Sequence, residues 1–250
     1  MPINYLRQLA GRNRSAAANR QLAFYLAFNA GAANAGGFLA VHQYTSHMTG
    51  IVSAIADHAA LGEFALMLVG VGALLAFLMG AATSAILINW GRRRALQGEY
   101  ALTLMLEALL LLVFGFLGGH MAGQRWLFAP MTVSLLCYIM GLQNAMITKL
   151  SKSEIRTTHV TGLVTDIGIE IGKMLYINTG GPGLPVVADH PRLRLLATLL
   201  LLFFAGGLAG AVGFSRLGFI ATVPLALCLI LIALVPLLDD VGATKNMNRL

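Results

Sequence analysis

The chain has 250 residues, of which 58% are hydrophobic and 11% charged, with a formal net charge of +7. A soluble domain carries charge on about a quarter of its residues, so water is excluded as the main solvent. The basic residues cluster between apolar stretches rather than along one polar face, which argues against a nucleic-acid partner and for a membrane.

Taken in chain order, the first apolar stretch is Gln21 to Val41, preceded by Arg7, Arg12, Arg14 and Arg20. The second runs from Phe64 to Ile88 and is followed by Arg92, Arg93 and Arg94. The third, Tyr100 to Gly119, is interrupted only by Glu107; the fourth is Trp126 to Thr148. Leu195 to Phe214 and Leu217 to Leu238 complete the set. A helix of about 20 residues rises about 30 Å, enough to cross a hydrocarbon core, and lipid offers an unpaired backbone no partner. The expected fold is therefore an all-α membrane bundle of six spans, forming a single domain over residues 1–250 with tails at 1–20 and 239–250.

Lys149, Lys152, Arg156, Lys173, Arg192 and Arg194 lie between spans four and five, and Lys245 and Arg249 follow span six. Each cluster falls where an even crossing returns the chain to its starting side, the positive-inside pattern with both termini cytoplasmic. Only Arg125 and Arg216 are left for the other side. A basic start, an apolar run and the small residues Ala32, Ala33 and Ala35 also resemble a cleavable leader. An internal repeat that uses Asn34 argues against cleavage.

Thr45-Ser46-His47-Met48-Thr49-Gly50 returns as Thr157-Thr158-His159-Val160-Thr161-Gly162 at an offset of 112 residues. Upstream, Gly31 and Asn34 match Gly141 and Asn144 at an offset of 110; downstream, Phe77, Gly80 and Ser84 match Phe203, Gly206 and Gly210 at an offset of 126. Landmarks in one order define two copies of a three-span unit, residues 21–119 and 126–238. Three crossings is an odd number, so the copies are expected to insert in opposite orientations, the inverted repeat of many transporters, whose sites lie at the repeat interface. A seven-span alternative, with Thr157 to Ile177 also crossing, would bury Asp166, Glu170 and Lys173 and place Arg192, Arg194, Lys245 and Arg249 outside.

After each Thr-Gly a short helix is expected. Ser46, Thr49 and Ser53 share one face of it, as do Thr158, Thr161 and Thr165 in the second copy. These hydroxyls either line a path for a polar solute or bond a neighbouring helix. His47 and His159 either begin and bend the short helix or contact solute or protons. A metal there would need further ligands, and His42, Asp57 and His58 in one copy do not match Asp166 and Glu170 in the other. No metal or other cofactor is expected. Asn34 and Asn144 end long apolar spans and must find partners, with the backbone of the following segment as the nearest candidate. Asn29 has no counterpart in the second copy.

Glu107 is the one acid squarely inside a span, where a carboxylate marks an ion or proton pathway or is a neutral acid bonded to a neighbour. Asp166, Glu170 and Lys173 share one face of an amphipathic helix, either interfacial or dipping into the bundle with Asp166 on a cavity. Asp57 and Asp166 join Glu107 as candidate coupling groups. The small residues Gly80, Ser84, Gly206 and Gly210 allow close helix contact, between the repeats or in a dimer. Cys137 and Cys228 have no metal or redox spacing. Hydrolase signatures and a phosphate-binding loop are missing from the sequence, so an enzyme is not expected.

Thr45 to Gly50, Gly141 to Asn144 and Glu154 to Asp166 resemble the signature of the YoaK family of bacterial inner-membrane proteins of unknown function. The resemblance covers essentially the whole chain and implies a multi-pass protein, without a substrate or site residue to carry over. Gly91-Arg92-Arg93-Arg94 is similar to a cytoplasmic loop of major facilitator transporters, although Ile88 and Asn89 stand where an acid is expected. Six spans would be half such a transporter, and a homodimer would supply the whole. The reading is a secondary transporter or channel for a small solute, with His47, Thr49, Ser53, His159, Thr161, Thr165, Asn34 and Asn144 at the site; the alternative is a non-transporting module that binds a protein or membrane lipid.

Overall fold

The computed structural model describes residues 2–11, 14–41, 44–120, 125–150, 158–179 and 183–247. Arg12, His42, Lys152, Glu154, Arg156, Thr157 and Arg249, used above, lie outside the described residues. The described residues are helical and contain no strand: α1 (Pro2–Ala10), α2 (Ala16–Val41), α3 (Met48–Ala60), α4 (Phe64–Arg93), α5 (Ala101–His120), α6 (Arg125–Leu150), α7 (Val160–Leu175), α8 (His190–Leu217) and α9 (Thr222–Met247). A single 3-10 turn, Gly218–Ala221, joins the last two.

Four stretches are long and apolar enough to cross a membrane: Phe64–Arg93, Ala101–Gly119, Pro130–Leu150 and the 53-residue run His190–Gly242. The last is longer than one crossing needs and bends at Gly218, whose φ of 59° suits a residue without Cβ. α2 is not among the four, since Asn19, Arg20, Gln21, Asn29 and Asn34 interrupt its apolar residues. The outer faces carry Leu75, Leu78, Met79 and Ile86 on α4, and Leu201, Phe204 and Leu208 on α8, all exposed. Exposed apolar surface of this extent on helices of membrane-spanning length suggests a membrane protein.

Four close backbone approaches organise the packing. A Cβ on Gly31 would land on the Phe203 carbonyl and one on Gly141 on the Phe77 carbonyl; Gly206 meets the Phe28 carbonyl and Gly80 that of Tyr138. Each contact joins one unit to the other, and at the offsets that relate the units the α2–α8 and α4–α6 contacts are each other's counterparts. α2 is thereby locked to α8, and α4 to α6. Both pairs run parallel: Phe28, Ala32 and Gly36 meet Gly206, Gly210 and Phe214, while the Tyr138 hydroxyl donates to Thr83 Oγ1 at 2.7 Å and Lys149 to Asn89 Oδ1 at 2.8 Å. The small residues that the sequence leaves open between repeat and dimer contacts are thus used within the chain.

α2 and α6, equivalent in the two units, run antiparallel: Asn19 Nδ2 donates to the Leu150 carbonyl at 3.5 Å, Gln143 Nε2 to the Leu26 carbonyl at 3.4 Å, and Gly37 lies against Leu136. α5 and α9 are antiparallel too, through Gly98 with Pro236, Gly115 with Thr222 and Gly118 with Phe219. The contacts follow the order α3, α4, α6, α2, α8, α7, with the α5–α9 pair against α6.

At the end where α2 starts and α6 finishes, polar ties accumulate. Arg7 pairs with Asp239 at 2.5 Å, Arg92 with Glu99 at 3.3 Å, and the Gln97 and Gly98 amides donate to Asp240 at 2.7 and 2.9 Å. Leu9 and Ala10 of α1 are buried here, so part of the expected N-terminal tail is packed structure.

Candidate functional site

The two repeated motifs have the same local construction. His47 and His159 are the residues before α3 and α7, with φ and ψ of −90° and 70° in one and −83° and 63° in the other, and neither side chain caps its helix. Each imidazole folds back over the glycine three residues on, where a Cβ on Gly50 or Gly162 would strike the ring. This explains the spacing of H-x-T-G: the glycine is the seat of the histidine. Asn34 Oδ1 accepts from the Ser46 amide at 3.4 Å and its hydroxyl at 3.1 Å, and Asn144 Oδ1 accepts from Thr158 Oγ1 at 2.5 Å. The asparagine late in each long helix thus holds the motif that follows.

α3 folds back along α4, with Ile55 against Gly70. Its 13 residues span about 20 Å, so its start reaches the middle of α4, where Met48 and Phe77 join one apolar cluster with Val133 and Cys137 of α6. α7 folds back along α8: Arg192 donates to Asp166 at 3.0 Å, and the Asp189 amide to Glu170 Oε2 at 2.8 Å. Lys173 and the Asp189 amide bond the Glu170 carboxylate and hold its pKa below the ordinary range. The polar face of α7 therefore turns towards α8, while Val164, Ile171 and Met174 are exposed. At 16 residues α7 spans about 24 Å and is not among the membrane-length helices, which counts against the seven-span alternative.

The structure does not bring the two motifs together, because α3 packs on α4 and α7 on α8, at opposite ends of the helix order. Thr49, Ser53, Thr161, Thr165 and Asp57 lie on exposed faces. What occupies the contact between the units is Glu107. Fully buried on α5, its Oε1 accepts from Gln143 Nε2 of α6 at 2.8 Å and from Asn29 Nδ2 of α2 at 3.5 Å. Glu107 Oε2, Asn29 Oδ1 and Gln143 Oε1 are buried without a partner. Unpaired buried polar atoms are costly, and here three of them gather around one carboxylate. Gln143 was within reach of sequence reasoning, being a second amide beside Asn144 in an apolar span.

Of two neighbouring cavities, the smaller includes Asn29 of this cluster. One, of about 440 Å³ between α2, α8 and α9, is lined by Phe28, Leu202 and Leu225 with Asn29 and Cys228. The other, of about 980 Å³, opens between α2, α7 and α8 and is lined by Arg20, His159, Asp166, Asp189, Arg192 and Arg194. Phe24 belongs to both linings and stands between them. Of the sequence candidates, His159 and Asp166 thus share a cavity; the three arginines had been read only as topology signals. Among the described residues no three His, Cys, Asp or Glu side chains gather as metal ligands would.

The family described as "Protein of unknown function (DUF1275)" matches residues 22–235. No curated protein and no solved structure matches the chain.

Proposed function

The chain belongs to the DUF1275 family of proteins of unknown function, and we propose that it is a secondary transporter or channel for a small polar solute, with Glu107 as its coupling group. The observation that carries this reading is the Glu107 cluster. A buried carboxylate from one unit, six residues after the start of α5, is bonded to an amide of the other, seven residues before the end of α6, with acceptor atoms to spare.

The membrane arrangement under this proposal is six crossings, by α2, α4, α5, α6, α8 and α9, in two opposed units. The antiparallel run of α2 against α6 and of α5 against α9 supports it, because equivalent helices of inverted units must run in opposite senses. α3 would then re-enter the membrane to about half depth, carrying His47 and Thr49, and α7 would carry His159, Thr161 and Asp166 along the other unit. The arginine placement supports both termini lying on the cytoplasmic side, and the resemblance to a bacterial family supports an inner membrane. A homodimer, as in a transporter assembled from halves, would associate through faces other than the small-residue stripes, which are already occupied.

The test is flux into liposomes holding the purified protein, against pooled small metabolites under an imposed pH gradient. Glu107→Gln is expected to abolish gradient-driven uptake while leaving the melting temperature within a few degrees of wild type. Equal uptake by the two proteins would refute the assignment.

A further inference from the structure

We propose that the cavity between α2, α7 and α8 binds an anionic group, a carboxylate or a phosphate, between Arg20 and Arg194. This rests on the transport reading and names the class of solute that the site would take.

The charges facing the cavity are Arg20 from α2, Arg192 and Arg194 from α8, Asp166 from α7 and Asp189 at the start of α8, with His159 beside them. Both acids are engaged. Asp166 accepts from Arg192 at 3.0 Å, and Asp189 Oδ1 accepts from the Arg192 amide at 2.9 Å to cap α8. Among the described residues the side chains of Arg20 and Arg194 have no ion pair or hydrogen bond. Two guanidinium groups without an acid partner among the described residues, on separate helices lining one cavity of about 980 Å³, are suited to a planar or tetrahedral oxyanion.

The fold does not require these charges. At the offsets that relate the units, Arg192 and Arg194 correspond to Leu66 and Leu68, Asp166 to Ala54 and Arg20 to Pro130, while Asp189 and Glu63 keep the same place at the helix start. The arginines of this cavity therefore have no counterparts at the related positions. Positive-inside bias favours arginine on this side of a membrane, but it does not place two unpaired arginines and a histidine around one opening. Phe24 lines both this cavity and the smaller one that includes Asn29, the residue bonded to Glu107.

Binding is read without a gradient, so it stands or falls separately from transport. Protein in nanodiscs of phosphatidylcholine is titrated with sodium phosphate and with sodium succinate against sodium chloride at matched ionic strength, following the melting temperature. Wild type is expected to be stabilised by at least one of the two anions, with apparent affinity weakened about tenfold or more in Arg194→Gln and in Arg20→Gln/Arg194→Gln. The single variant removes one exposed, unpaired group and serves if the double variant is poorly folded. A second arm replaces the lipid with phosphatidylglycerol. Stabilisation by that lipid alone, lost in Arg194→Gln, assigns the anion to a headgroup; stabilisation by the soluble anions assigns it to a solute. If neither source stabilises wild type more than Arg194→Gln, the proposal is overturned.

Discussion

Asn34 and Asn144 show how a single side chain shapes the repeat. Each ends an apolar helix and spends its carbonyl oxygen on the hydroxyl residue before the motif histidine. Sequence reasoning could reach this, because an amide in an apolar span has to find a partner and the only polar segment nearby is the one that follows. It could not reach the folding of His47 and His159 over Gly50 and Gly162, since nothing in the spacing says which way an imidazole turns. Asn144→Ala removes the acceptor of Thr158 and is expected to destabilise the protein by about 1–2 kcal/mol. Asn34→Ala, which frees Ser46, should cost a similar amount. Equilibrium unfolding in detergent checks both, and an effect confined to one of them would break the equivalence of the two units.

The helices themselves were largely visible as apolar runs, because lipid suppresses the polar interruptions that blur boundaries in soluble proteins. Two elements were not. α1 hides in a polar tail: nine residues carry too little pattern to separate a packed helix from an unpacked one, although Leu9 and Ala10 end up buried. α7 reads as amphipathic in either orientation, and the pairing of Asp166 with Arg192 and of Glu170 with the Asp189 amide turns its polar face towards α8. The close glycine contacts give the firmest prediction for whole helices. A side chain at Gly80 has the Tyr138 carbonyl in its way, so α4 and α6 must separate to admit it. Gly80→Leu is expected to cost about 3 kcal/mol, at the upper end for overpacking, and Gly206→Leu the same at the α2–α8 contact. Thermal melting in detergent measures both. Unchanged melting, with dimerisation lost instead, would mean that these glycines face another copy.

Across the molecule the two units share a backbone plan and differ in chemistry. The glycine contacts, the asparagine bonds and the motif histidines occur twice. Glu107, Gln143 and Asn29 occur once, as do the arginines of the large cavity. The repeat was legible because its landmarks are short and polar against an apolar background. The Glu107 cluster was only half legible, because the acid stood out but its partners come from helices 36 and 78 residues away in sequence. Transport at the contact between units depends on their being opposed in the membrane, and site-directed labelling tests that most directly. In a protein with Cys137→Ala and Cys228→Ala, a single cysteine is introduced as Leu61→Cys in the α3–α4 turn or as Leu184→Cys before α8, both exposed positions. A membrane-impermeant thiol reagent applied to intact cells should label the Leu61→Cys protein at once and the Leu184→Cys protein only after the membrane is opened. Labelling of both from the same side would contradict opposed insertion and, with it, the account of the site.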